Sequence, residues 1–433
     1  MKSALQFLLA AKRFEIRCFE QLAVTCELVN DISQLVHKLQ KERGVSSGFV
    51  ASQGAHFGAQ LGEVVAECDE VQGALRKRFD LLLSDEAPSG SSGVRLFSRI
   101  AYVVNGLAAL PRLREQVREQ RLSVDEISDA YTKLIGGLLA VVFEAADTAA
   151  DPDISRALVA MFNFMQGKEL AGQERAAGAI GFARQAFDTP RQQKLHYLVD
   201  AQQRCFDIFA EFAAPALLAS WREALPAADI AEFERLRRVA TIGPVSGLAA
   251  DSDEVWFELA SRRIDAMKQL EDRLAVDLSQ LCHRKMQDAR NDLENHHDIL
   301  ESLDAMEPHS ASAVAVFFEH GTRGADGGAK AVDVLGADGM GPQLGRSILD
   351  LVHQQARRLQ SMNDELQSAR TALNDRKLIE RAKGLLMTHR NLTEDQAYRM
   401  LRQTAMDQER RLADVAQTVL SFSGILKDEP HRK

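Results

Sequence analysis

Apolar residues recur at three- and four-residue steps along most of this 433-residue chain, and no other feature constrains its fold as strongly. Leu28, Ile32, Leu35, Val36 and Leu39 form one stripe; Val255, Leu259, Ile264, Met267, Leu270, Leu274 and Leu278 form another. A stripe of this period lies on one face of an α-helix and has to be buried against other helices. Composition points the same way, with only 10 prolines, 6% aromatic residues and abundant Ala, Leu, Glu and Arg. Breaks fall at Ala87-Pro-Ser-Gly-Ser-Ser-Gly93, Asp188-Thr-Pro190, Pro226 and Ile242-Gly-Pro244, and Asp151-Pro-Asp-Ile-Ser155 reads as a helix start capped by Asp151 or Asp153. Long helices joined by such loops predict an all-α protein built from antiparallel bundles.

The pattern divides the chain. Residues 1–305 read as helical bundles. Residues 306–343 are glycine-rich and read as a flexible linker, with a short ordered piece at Val314 to Phe318. Over 344–374 a helix resumes, and Ile348, Val352, Gln355, Leu359, Met362, Leu366, Ala369 and Leu373 alternate steps of four and three. That is the seam of a short dimeric coiled coil, or of one apolar face laid on a neighbouring bundle. Residues 375–433 form a last small helical unit. There, Thr393-Glu-Asp-Gln396 is a capping box, and Leu378, Ile379, Ala382, Leu386, Ala397, Leu401, Met406, Val415 and Val419 make a small core that leaves Lys383, Arg390, Arg399 and Arg402 to solvent.

Charge and cysteine usage narrow the function. The chain carries a net charge of -9, which argues against a general nucleic-acid coat. The balance is uneven, because residues 375–433 hold 12 Lys/Arg against 9 Asp/Glu. A small unit with exposed cations suits a polyanion better than it suits a catalytic cleft. The five dispersed cysteines contain no CxxC pair and read as reduced thiols, so neither a zinc site nor a disulfide framework is expected. His296 and His297 are adjacent on a helix and point about 100° apart, so they do not share a metal face. GxxxxGK[ST] and HExxH motifs are missing, and no catalytic residue, metal or cofactor is expected. With no signal-peptide pattern, and with Leu134 to Phe143 too short to span a bilayer, a cytoplasmic protein without membrane contact is expected.

Two stretches echo each other 132 residues apart. Lys41-Glu-Arg-Gly44 and Gln173-Glu-Arg-Ala176 each place an arginine between a glutamate and a small residue, ahead of a small-residue run ending in Phe. A guanidinium on a mostly apolar helix needs a counter-charge. Glu42 and Glu174 are the local candidates. The alternative is a small planar oxyanion held by the fork of N–H donors.

Leu39-Gln-Lys-Glu-Arg-Gly-Val-Ser46 and Lys168-Glu-Leu-Ala-Gly-Gln-Glu-Arg175 resemble the two signatures of the NIT domain, a nitrate- and nitrite-responsive sensor, within a pattern covering roughly residues 25–285. That resemblance implies two four-helix bundles with the anion between them, and gives the ligand role to Arg43 and Arg175. Arg235 and Arg238, in Phe233-Glu-Arg-Leu-Arg-Arg238, match a further basic helix of the family as possible third ligands. Glu380-Arg-Ala-Lys-Gly384, Leu385-Leu-Met387, Ala397-Tyr398, Leu401-Arg402 and Ala405-Met406 resemble the ANTAR domain, the RNA-binding output of bacterial antiterminators, over Leu366 to Ile425.

Together the two resemblances imply a one-component, nitrate- or nitrite-responsive regulator. It would bind paired hairpins in nascent leader RNA, act on transcribing RNA polymerase indirectly, and function as a homodimer. Lys383 and Arg402, then Arg381, Lys377 and Arg399, are the expected RNA contacts. Tyr398 is a base-stacking or an interior residue. The competing readings are a coiled-coil interaction scaffold that binds no RNA, and an RNA-binding antiterminator responding to another small ligand.

Overall fold

The computed structural model describes residues 2–84, 91–242, 251–304, 313–315, 335–337, 342–390 and 392–426. Among these, helices account for all the regular structure except one short strand pair. In chain order they are α1 (Lys2–Ala51), α2 (Gly58–Ser84), α3 (Ser91–Arg118), α4 (Val124–Thr148), α5 (Pro152–Ala183), α6 (Thr189–Phe212), α7 (Pro215–Arg222), α8 (Ala227–Ile242), α9 (Ser252–Asp304), α10 (Pro342–Arg390), α11 (Glu394–Asp407) and α12 (Leu412–Leu426). Their starts follow local chemistry. Asp151 accepts from Ile154 N with Pro152 in the first turn, Asp188 accepts from Arg191 N ahead of Pro190, and Ser123 and Thr393 each form a full capping box. No described helix is long and apolar enough to cross a membrane.

Two compact units emerge, one joining Met1–Leu22 to Cys282–Glu365 and the other joining Ala23–Leu281 to Leu366–Lys433. In the first, Lys12 is buried and its Nζ lies 2.9 Å from both Glu15 and Asp292. Strand β1 (Ala313–Ala315) pairs antiparallel with β2 (Leu335–Ala337), Val314 opposite Gly336. The rest of the expected 306–343 linker, up to Gly341, lies outside the described residues, as do the side chains of His296, His297, Ile348, Val352, Gln355 and Leu359.

In the second unit, two groups of four helices each meet at one buried glutamate. Glu42 of α1 accepts from Arg114 of α3 at 2.6 and 2.9 Å and from the Tyr131 hydroxyl of α4 at 2.7 Å, while Arg114 also reaches Asp69 of α2 at 2.6 Å. Glu174 of α5 accepts from Gln202 of α6 at 2.7 Å and from Arg237 of α8 at 2.6 and 2.9 Å, with Arg263 of α9 at 3.6 Å. Apolar packing surrounds both centres. Trp256 is fully buried against Phe182, Phe233 and Leu236, and it lies where a methyl on Gly178 would overlap its ring, so α5 needs glycine there.

The C-terminal part of this unit departs from the sequence reading at a helix boundary and at Met406, and it bears on the two alternatives for the heptad seam. The helix expected at 344–374 and the first helix of the small unit are one continuous α10. Leu366, Ala369 and Leu373 of the heptad seam are buried within this chain, which favours an apolar face laid on a neighbour for that part of the seam. Met406 is exposed; Ala405 fills its place beside Ala382, Leu401, Val415 and Ala416.

Candidate functional site

Each Glu-Arg dipeptide divides its work between two sides of its helix. Successive helical residues point about 100° apart, so when the glutamate turns into its own group of helices the arginine turns elsewhere. Glu42 and Glu174 therefore do not neutralise their neighbours. Arg43, buried at the α1–α5 contact, binds Glu169 instead, with Nη1 to Oε1 at 2.5 Å and Nη2 to Oε2 at 3.2 Å, and Nη1 also donates to Thr132 Oγ1 at 2.9 Å. Gln40 and Gln173 donate to the same carboxylate at 2.8 and 2.9 Å.

Arg175 has a different environment. Its Nη1 donates to Ser261 Oγ at 3.0 Å and its guanidinium lies over the Phe257 ring, 5.0 Å from the centroid. No carboxylate of a described residue lies within ion-pair distance of it. Burial, and then the neighbouring Arg43 charge, push its pKa down to about 10. The two arginines reach across each other's glycines: Arg43 Nη2 is 3.0 Å from where a Cβ on Gly172 would sit, and Arg175 Nη2 is 3.6 Å from the equivalent point on Gly44. Gly44, after Arg43, and Gly172, three residues before Arg175, therefore make room for the opposing guanidinium. The pair concentrates positive charge around a buried and a half-buried guanidinium, where an added anion interacts more strongly than in open water.

Arg235 and Arg238 do not share this environment. Both are exposed, and Arg235 is engaged by Glu232 of its own helix at 2.7 Å. The inward cation of α8 is Arg237, which shares a face with the buried Phe233, Leu236 and Ala240.

The cations of the small C-terminal unit contact the helices at 23–281 within the same compact unit. Lys383 is buried rather than solvent-facing: its Nζ is 2.7 Å from Glu394, 3.0 Å from Glu380 and 3.4 Å from the Tyr197 hydroxyl of α6. Burial opposes its charge, but Glu380, Tyr197 and Glu394 outweigh that and hold its pKa above the usual lysine value. Arg402 pairs with Asp200 of α6, Arg399 donates to Gln193 of α6 at 3.1 Å, and Lys377 sits 2.7 Å from Asp147 of α4. Arg381 is exposed. Tyr398 is an interior residue, edge-on to Tyr197 at 5.5 Å and covered by the Arg204 guanidinium at 4.1 Å.

The profile of the family described as nitrate and nitrite sensing, NIT, matches residues 34–279, and that of the ANTAR domain matches residues 367–420. The chain belongs to the NIT family. Across 97% of its length and 95% of the relative's, it is 34% identical to the nitrate regulatory protein of Klebsiella oxytoca. It is similar to the solved structure of the NasR transcription antiterminator, with a TM-score of 0.58 and 31% identity, covering 98% of this chain and 100% of that one. An 80-residue stretch, 18% of this chain and 39% of the relative, is 35% identical to the transcriptional regulatory protein PdtaR of Mycobacterium tuberculosis.

Sequence reasoning missed several residues of the NIT–ANTAR architecture. Glu169 lies inside the second NIT motif, but its partner Arg43 is 126 positions away. Arg376 of α10 lies over the Phe162 ring at 4.9 Å and donates to Asn163 Oδ1 at 3.4 Å and Cys205 Sγ at 3.6 Å. The α6 row Gln193, Tyr197, Asp200 and Arg204 carries no motif. Its only signal is the three- and four-residue spacing of polar residues along one helix face.

Proposed function

We propose that this protein is a one-component, nitrate- or nitrite-responsive antitermination regulator, in which an anion bound between Arg43 and Arg175 controls RNA binding by the ANTAR unit. The observation that carries this reading is Arg175: a half-buried guanidinium, disfavoured by burial and by a second arginine beside it, over glycines, with no carboxylate of a described residue within ion-pair distance. Guanidinium matches a planar oxyanion through paired N–H donors and is weakly hydrated. Arg43 on α1 and Arg175 on α5 thus supply donors from two groups of helices, taken as the two bundles of the sensor.

The docked cations suggest how the anion acts. Lys383 is buried against Tyr197, and Arg402, Arg399 and Lys377 are engaged by Asp200, Gln193 and Asp147, so the described conformation makes phosphate compete for all four. Helix α6 joins the two sites. Gln202 on one side binds Glu174, next to Arg175, while Tyr197 and Asp200 hold α10 and α11. An anion shifts this equilibrium only to the extent that it binds the released state more tightly. Once released, the ANTAR unit binds hairpins in nascent leader RNA and keeps a terminator stem from forming, which acts on the transcribing polymerase indirectly. The homodimer expected of the chain is part of this reading. The domain plan is sensor at 1–305, linker at 306–343, seam helix at 344–374 and output at 375–433.

The test is leader-RNA binding by the full chain with and without nitrate, across ionic strength. Binding that is raised by nitrate and weakens steeply with salt is expected. RNA affinity indifferent to nitrate and nitrite would overturn the reading.

A further inference from the structure

Glu169 supplies the counter-charge of buried Arg43, and its carboxylate also faces the place where an anion would meet the two arginines. Four donors converge on its carboxylate, Arg43 Nη1 and Gln173 Nε2 on Oε1, and Arg43 Nη2 and Gln40 Nε2 on Oε2. It is 2% exposed, so its charge acts with little screening on whatever occupies the space beside Arg43. A site that needed only maximal affinity for anions would have no carboxylate there, because Thr132 and the two glutamines offer neutral partners.

We propose that Glu169 sets the valence selectivity of the site: with Arg43 and Arg175 it leaves one net positive charge, which a monoanion neutralises and a dianion overfills. The proposal rests on the reading that an oxyanion binds between the two arginines. Asp265 of α9 acts on Arg175 more strongly than Glu169 does, but its carboxylate is exposed and can turn into water as an anion enters, so only Glu169 is fixed in the count. Two guanidinium groups without Glu169 would suit sulfate as well as nitrate, since both present oxygens to paired N–H donors. Donor geometry alone therefore does not reject the dianion. Charge count does, because an unbalanced charge in a desolvated place is costly.

The experiment is calorimetric titration of the full chain and of Glu169→Gln with nitrate, nitrite and sulfate. Gln40 or Gln173 can turn its amide to accept from the new side-chain amide, so the variant keeps a paired arrangement. The wild type should prefer nitrate to sulfate. In Glu169→Gln that ratio should fall by about tenfold or more, through a gain in sulfate affinity. A ratio that stays unchanged, or nitrate and sulfate weakened alike, would overturn the proposal and reduce Glu169 to a scaffold for Arg43. Should Glu169→Gln fail to fold, Ser261→Asp asks the same question with the opposite sign. A second carboxylate beside Arg175 brings the net charge to zero, and nitrate affinity should drop about tenfold; undiminished affinity there would overturn the charge count. A wild-type protein that binds no nitrate or nitrite would remove the anion reading itself, and this proposal with it.

Discussion

The hydroxyl of Tyr197 on α6 donates to Glu394 Oε1 on α11 at 2.8 Å, and Lys383 Nζ reaches the same oxygen at 2.7 Å. One carboxylate oxygen thus links the sensor to the output and occupies a cation expected to meet RNA. Partial desolvation pushes the Glu394 pKa up, yet Lys383 and Tyr197 outweigh it and hold the group below the ordinary carboxylate range. Tyr197→Phe removes one hydrogen bond to a charged acceptor that solvent also reaches, about 1 kcal/mol of docking. Leader-RNA affinity in the absence of nitrate should rise about fivefold, with little change in its presence. Gel-shift titrations measure both, and an unchanged nitrate-free affinity would remove the case for sequestration.

Fold and ligand binding separate at a single dipeptide. Glu174 serves Arg237, Arg263 and Gln202, so Glu174→Ala strands buried charge and should cost about 3–5 kcal/mol, lowering the thermal midpoint by on the order of 10 °C. Arg175 is already a cation disfavoured by burial and by Arg43. Arg175→Ala should leave the midpoint unchanged or raise it while abolishing the heat of nitrate binding. A strongly destabilised Arg175→Ala would mean that Arg175 is a structural residue.

The all-α class, the helix caps and the two arginine motifs were legible because each rests on local chemistry. Asp151, Asp188 and Thr393 cap the helices they precede whatever packs beyond them. The partners of the arginines were not legible, since Arg43 finds Glu169 through tertiary packing alone. Two corrections were nonetheless within reach of helical geometry. Arg237, four residues after Phe233 and three before Ala240, shares their apolar face, whereas Arg235 and Arg238 lie on the other side. Lys383 falls four residues after Ile379 and three before Leu386, on the buried side of α10, and only its three polar partners make that burial tolerable. Composition marked Lys383 as a surface cation; its place on the helix face decided otherwise.

Coupling through α6 can be tested at Gln202. Its Nε2 donates to Glu174 at 2.7 Å and its Oε1 accepts from Arg263 at 3.0 Å, so a displacement of α5 at Arg175 is passed to the helix that carries Tyr197 and Asp200. Gln202→Met keeps the side-chain volume and removes both bonds. Nitrate should still bind within about threefold of wild type, while the increase in RNA affinity on adding nitrate falls by about fivefold or more, since coupling of this kind is typically about 1–3 kcal/mol. Intact coupling in a folded Gln202→Met protein would place the connection on another helix.

The pH dependence of stability should trace to His37, on α1 between the two groups of helices. Burial first, then the charges of Lys168, Lys268 and Lys38, lower its pKa from 6.5 to about 3, against a weaker pull from Asp272. Lys168 is itself fully buried and paired with Glu271 at 2.7 Å, so the cation that opposes protonation of His37 is built into the core. Below pH 6.5 the unfolded chain takes up a proton at His37 that the folded chain refuses until about pH 3, so stability is full above this window and declines as pH falls through it. The loss is about 1.4 kcal/mol per pH unit, or about 2 kcal/mol at pH 5. Urea unfolding of wild type and His37→Gln at neutral pH and at pH 5 checks this. Acidification should cost the wild type about 2 kcal/mol more than the variant, and equal losses would assign the acid sensitivity of the sensor to its carboxylates instead.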